Sequence, residues 1–156
     1  MPDGVTLNQW VPKGWGGEVI VVNTPEYCGK RLLVLAGRRC SVHKHRVKTE
    51  TFCVQSGQLW VDIHEGDAIT QHHLSPGDAL HIPAHTVHQF WAPDGDVWVI
   101  EFSSHDDPAD SVKLERGDVL PEQRAGEYVY AEGDVAFMMA SQPKMNDTII
   151  PLPGDE

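Results

Sequence analysis

The stretch Gly37-Arg-Arg-Cys-Ser-Val-His43-Lys-His45-Arg-Val-Lys-Thr-Glu50-Thr-Phe-Cys-Val-Gln-Ser-Gly57 decides the fold. His43 and His45 are two residues apart, so on a strand both imidazoles point to one face and Lys44 to the other. Arg46-Val-Lys-Thr has turn length, and Glu50 opens a second run in which it shares a face with Phe52 and Val54. A hairpin of this kind gathers two imidazoles and a carboxylate under apolar neighbours. Such groups need compensation, and a divalent cation supplies it.

Further along, Pro76-Gly-Asp opens a second segment that runs through Ile82-Pro83 and holds His81, His85 and His88. His88 begins an apolar run (Gln-Phe-Trp) from which a ligand would point inwards. His81 and His85 are close competitors for the same role. Three imidazoles and a carboxylate without thiolate suit Mn, Fe, Zn, Co or Ni, and leave one or two coordination positions open.

Short runs rich in β-branched and aromatic residues recur throughout: 18–22, 31–35, 41–45, 51–55, 58–64, 79–83, 87–91 and 97–102. Turn signals separate them at a spacing of roughly ten residues, as in an antiparallel sandwich or barrel. No long 3.6-residue apolar period is present, so the expected class is all-β with little helix. The polar segment 106–118 reads as a loop with at most one turn of helix. His64, His72 and His73 flank a polar hairpin turn. Beyond residue 119, Tyr128-Val-Tyr and Val135-Ala-Phe-Met-Met have strand character.

The whole chain, 1–156, reads as one domain: 40% apolar residues and five Trp argue for a folded core. Twelve basic against 23 acidic residues leave a net charge of −11, a field that repels nucleic acid and anionic membranes. All nine His fall between His43 and His105, which favours a metal or acid–base site over scattered surface residues. Three Cys with no Cys-x-x-Cys pair argue against a disulfide framework. The N-terminus lacks the basic and apolar regions of a signal peptide, and no apolar run has the length of a membrane helix, so a cytoplasmic protein is expected.

Two candidates for proton transfer follow from strand context. Lys30 precedes Arg-Leu-Leu-Val-Leu, and Glu101 closes Trp-Val-Ile. A charge in an apolar strand is costly unless it faces a polar cavity. Lys48 and His81 are candidates for contact with a bound small molecule.

Gly37-x5-His43-x-His45-x4-Glu50-x6-Gly57 is similar at every position to the first signature of the cupin superfamily. Gly77-x5-Pro83-x-His85-x2-His88 resembles the second, with His85 where glycine is usual and Ala92 where asparagine is usual. The likeness spans about residues 18–105, with 119–156 as a C-terminal extension. It implies a jelly-roll β-barrel with His43, His45, Glu50 and His88 as ligands to a divalent transition metal, manganese first among the candidates. It also implies a homodimer, with the segments around Tyr128 and Phe137 available to cover an open sheet face.

Trp15-Gly-Gly-Glu18, Tyr27-Cys-Gly-Lys30-Arg-Leu-Leu, Glu50-Thr-Phe, Glu101-Phe-Ser-Ser and Asp110-Ser-Val-Lys-Leu resemble the small cupins of the D-lyxose isomerase type. Cys53 and Val112 stand where tyrosines are usual, and Lys113 where arginine is usual. The likeness implies aldose–ketose isomerisation of a small sugar, D-lyxose- or D-mannose-like, with Lys113 among the substrate contacts. A metal-dependent dioxygenase and a non-catalytic carbohydrate-binding cupin are the competing readings.

Overall fold

The computed structural model describes residues 9–118, which form two antiparallel sheets packed face to face. In chain order the strands are β1 (Gln9–Lys13), β2 (Gly16–Asn23), β3 (Cys28–Val34), β4 (Val42–His45), β5 (Glu50–Ser56), β6 (Leu59–Glu65), β7 (Ala68–Leu74), β8 (Ala79–Ile82), β9 (Val87–Trp91), β10 (Val97–Ser103) and β11 (Ser111–Glu115). One sheet has the order β1-β2-β3-β10-β5-β8 and the other β11-β4-β9-β6-β7. The result is the expected all-β jelly roll. The only helical element among the described residues is a single 3-10 turn, Pro108–Asp110. None of the described helices is long and apolar enough to cross a membrane.

Alternation builds the core. On β5, Glu50, Phe52 and Val54 are buried while Thr51, Cys53 and Gln55 are less so. Phe52 and Val54 meet Val34, Leu59, Val61, Ile82, Phe90, Val97 and Val99 between the sheets. The glycines bracketing the ligand hairpin are required by the backbone, with φ of +74° at Gly37 and +81° at Gly57. At Gly57 a Cβ would also stand 2.5 Å from the Asp96 carbonyl oxygen.

Three strands differ from the sequence reading. β7, read as turn-flanking, pairs along its whole length with β6; its residues are mostly exposed, so no apolar alternation marks it. β1 pairs with β2, and only Pro12 and the partly buried Trp10 and Val11 hint at it. The segment 106–118, read as a loop, contains β11, which pairs with β4. It is polar because it forms a sheet edge. The strand-like segments at 128 and 135 lie outside the described residues.

Candidate active site

The two sheets meet at a cavity of about 410 Å³. Its first feature is a compact group of His43, His45, Glu50 and His88, each offering one ligand atom, all within 4.8 Å of one another. β4 carries His43 and His45 on its inner face. His43 lies opposite His88 in the β4–β9 register, with ring centroids 4.4 Å apart. Glu50 enters from the head of β5, across the short turn that carries the chain from one sheet to the other.

Hydrogen bonds orient the rings. His43 Nδ1 is 2.8 Å from the Ser41 carbonyl and His88 Nδ1 is 2.8 Å from the Thr86 carbonyl. A carbonyl only accepts, so both Nδ1 atoms carry the proton and both Nε2 lone pairs are free to bind a cation. Burial, helped by the neighbouring His88, lowers the His43 pKa to about 3, so the ring is neutral and ligand-competent at ordinary pH. Burial alone would raise the Glu50 carboxyl. His45, His88 and the Lys48 ammonium outweigh that and hold it well below the usual carboxylate range.

His88 Nε2 and Glu50 Oε1 stand 2.9 Å apart, and neither has a properly aligned hydrogen-bond partner. Two buried acceptors facing each other are costly unless a cation lies between them. The donor set therefore fits a divalent transition metal.

The second feature is a charge network beside that group. Lys48, in the turn between ligands, is only 4% exposed. Its Nζ lies 3.3 Å from Glu50 Oε2, 3.3 Å from Glu101 Oε2 and 2.9 Å from Asp106 Oδ1. Burial would depress this ammonium's pKa, but Glu101 and Glu50 more than reverse the effect and raise it. Lys30 Nζ contacts Glu18 Oε1 at 3.1 Å and Asp106 Oδ2 at 3.0 Å, and these partners likewise raise its pKa against burial. Glu101 is pushed up to about 8, first by burial and then by Glu50, against the pull of Lys48 and Lys30. Asp106 goes the other way: despite burial, Lys48 and Lys30 lower it to about 2.

Two further contacts fix the network. Asn23 and Asp106 exchange hydrogen bonds: Asn23 Nδ2 donates to the Asp106 carbonyl at 2.9 Å, and the Asp106 amide donates to Asn23 Oδ1 at 3.0 Å. The Asp110 carboxylate accepts three successive amides of the ligand turn, Arg46 and Val47 at 3.0 Å and Lys48 at 2.9 Å. It thereby shapes the turn that sets Lys48 and Glu50.

Of the residues singled out in the sequence, Lys30, Glu101, Lys48 and Lys113 line the same cavity as the four-residue group. Lys48, although it stands in a turn, is buried. His81 is a correction. The β8 alternation turns Ile82 inward, and His81 is exposed on the outer face, 3.2 Å from Thr51 Oγ1. It cannot contact a substrate in the cavity. His85 is exposed in a turn with φ +67°, the left-handed conformation that explains the usual glycine there, and its amide donates to the His45 carbonyl. Glu18, Asp106 and Asp110 were missed. Glu18 opens an apolar run as Glu101 closes one, and that signal could have found it. Asp106 gave only a polar segment, and Asp110 stood only at the head of Asp110-Ser-Val-Lys-Leu.

Residues 31–102 match the family model described as Cupin domain. The D-lyxose/D-mannose isomerase of Thermosediminibacter oceani is 30% identical over 113 residues, which is 57% of this chain and 62% of that protein. The quercetin 2,3-dioxygenase of Bacillus subtilis is 38% identical over 80 residues, 50% of this chain and 20% of that one. The matches thus span less than two thirds of either relative. Among solved structures, the capsular polysaccharide assembling protein CapF of Staphylococcus aureus superposes with a TM-score of 0.64 at 22% identity, covering 72% of this chain and 33% of that one. KdgF from Halomonas sp. gives 0.57 at 27% identity, covering 65% of this chain and 89% of its own.

Proposed function

From the match of residues 31–102 to the Cupin domain model and the likeness to a D-lyxose/D-mannose isomerase, we propose that this chain is a metal-dependent aldose–ketose isomerase acting on a small sugar of the D-lyxose or D-mannose type. The observation that carries the reading is Glu101, a carboxyl pushed up to about 8 and joined through Lys48 to the Glu50 carboxylate of the four-residue group. Isomerisation needs a base that takes a proton from the carbon beside the carbonyl and returns it to the neighbouring carbon. A group whose acid and base forms are both accessible near neutrality does this best.

His43, His45, Glu50 and His88 would hold a divalent ion, manganese as first choice. When bound, it would polarise the carbonyl and adjacent hydroxyl oxygens of the sugar. Glu101, ionised, would accept the proton from the sugar carbon at Oε1. Its Oε2 stays anchored to Lys48 Nζ, so the carboxylate keeps one orientation through the transfer. Lys30, held by Glu18 and Asp106, presents a second ammonium on the same wall, suited to stabilising negative charge on a sugar oxygen in the enediol. Trp15, Leu32, Phe52 and Phe90 line the cavity with apolar surface and limit water around the intermediate.

The test is proton NMR of manganese-loaded protein with D-lyxose or D-mannose in D2O. Ketose should accumulate, with deuterium appearing at the neighbouring carbon, the former carbonyl carbon of the aldose, which receives the returned proton. Absence of both with Mn, Fe, Co and Zn in turn defeats the reading. Oxygen uptake by the iron-loaded protein would support the dioxygenase alternative, and a sugar that raises Tm without turnover would support a binding module.

A further inference from the structure

The cations of the cavity fall into two sets. Five of the chain's 12 Lys and Arg line it, although the chain as a whole carries −11. Three of them are matched: Lys30 by Glu18 and Asp106, Lys48 by Glu50, Glu101 and Asp106, and Lys13 more loosely by Glu18 at 3.9 Å. Lys113 and Arg116 are exposed at the mouth, and among the described residues neither has an acidic partner.

Register fixes where Lys113 stands. In the β11–β4 pair it lies opposite His43, and Ser111 lies opposite His45. Directly opposed residues of antiparallel strands project to the same face, so Lys113 rises on the cavity side, one strand from the histidines. Arg116 follows a register shift between Lys113 and Glu115 and lines the same mouth. Of the nearby acidic groups, Asp107 accepts the Ala109 amide and Asp118 the Arg39 amide, and the exposed Glu115 forms no ion pair with either cation. Two cations lining one cavity without acidic partners contribute no ion pair to the fold. They become favourable when an anion sits between them, and Arg beside Lys suits a phosphate or carboxylate.

We propose that Lys113 and Arg116 bind a negatively charged group, a phosphate ester or a carboxylate, on the sugar at the end remote from the reacting carbons. The reacting end rests on the isomerase reading given above; the charge preference rests on the mouth alone. The two are separated by measuring affinity and turnover in the same samples.

Calorimetry of the manganese-loaded protein with D-mannose, D-mannose 6-phosphate and D-mannuronate, alongside the K113Q/R116Q variant checked for unchanged Tm, reads the charge preference directly. At least one charged sugar should bind at least about tenfold more tightly than mannose, about 1.4 kcal/mol. The advantage should shrink with added salt and fall below about twofold in the variant. Which charged sugar binds better distinguishes phosphate from carboxylate. Equal affinity for all three, no binding of either charged sugar, or a preference that survives in the variant overturns the proposal. Ketose formation in those samples reports separately on the isomerase reading. Charged preference without turnover removes that reading and leaves this one standing, and turnover of mannose at equal affinity does the reverse.

Discussion

The two walls of the cavity differ in what they contribute. The five-stranded sheet supplies His43, His45 and His88, and backbone carbonyls orient the first and last of these rings through Nδ1. The six-stranded sheet supplies Glu18, Lys30, Glu50 and Glu101, formally charged groups; Glu18 helps raise the Lys30 ammonium, and Glu50 helps raise the Glu101 carboxyl. At the site the β4–β5 turn joins the two walls, through Lys48 and Glu50. On the proposed reading one wall and Glu50 would hold a cation and the other wall would hold and move protons, with the turn coupling the two.

If the division of labour is real, the walls should fail separately. Glu101→Gln should lower kcat by about 10²–10⁴-fold while metal content, measured by elemental analysis, stays at the level of the unaltered protein. Loss of metal in that variant would break the comparison. Glu50→Gln should weaken metal affinity by more than about a hundredfold, beyond the loss usual for groups behind the ligands. Asp110→Ala strips the turn's three amides of their acceptor and should cost about 10–100-fold in metal affinity, with Asp110→Asn recovering part of it.

A weaker effect concerns the charged wall alone. The folded Asp106 pKa, about 2, lies below the ordinary 3.8, so its contribution to stability is present above pH 4 and is lost as the pH falls towards 2. That loss is on the order of 2 kcal/mol and should be absent in Asp106→Asn when acid unfolding is followed by circular dichroism. Smallest is His85→Gly, which relieves the left-handed backbone at the β8–β9 crossing between the sheets. It should raise stability by about 0.5–1 kcal/mol, a shift of a few degrees in Tm.

The histidine wall was far more legible in the sequence than the charged wall. His-x-His followed by Glu at turn distance is local information, since a period of two and a short turn determine where the side chains go. His88 needed its second segment, because His81 and His85 offer the same chemistry and only the β8 and β9 registers send one outwards and another into a turn. Lys30 and Glu101 were readable as charges in apolar strands. That they stand opposite each other across β3 and β10 depends on a pairing between residues 71 positions apart, which no window of sequence contains. Asp106 and Asp110 were invisible for the same reason. Each acts on a turn or strand some 60 to 80 residues earlier, from a segment whose polarity suggested only a loop.

β11 lies at the edge of its sheet, paired with β4 on one side and with no other strand among the described residues. An edge strand can change its side chains without repacking an interior, since most of β11 is exposed. Lys113 and Arg116 can therefore vary while the histidines one strand away keep their geometry. In evolutionary terms the mouth is an exchangeable part: substrate preference can drift by single substitutions there, at little cost to folding, while the chemistry beneath is retained. The same property makes β11 the place to randomise in a library meant to alter what the cavity mouth accepts.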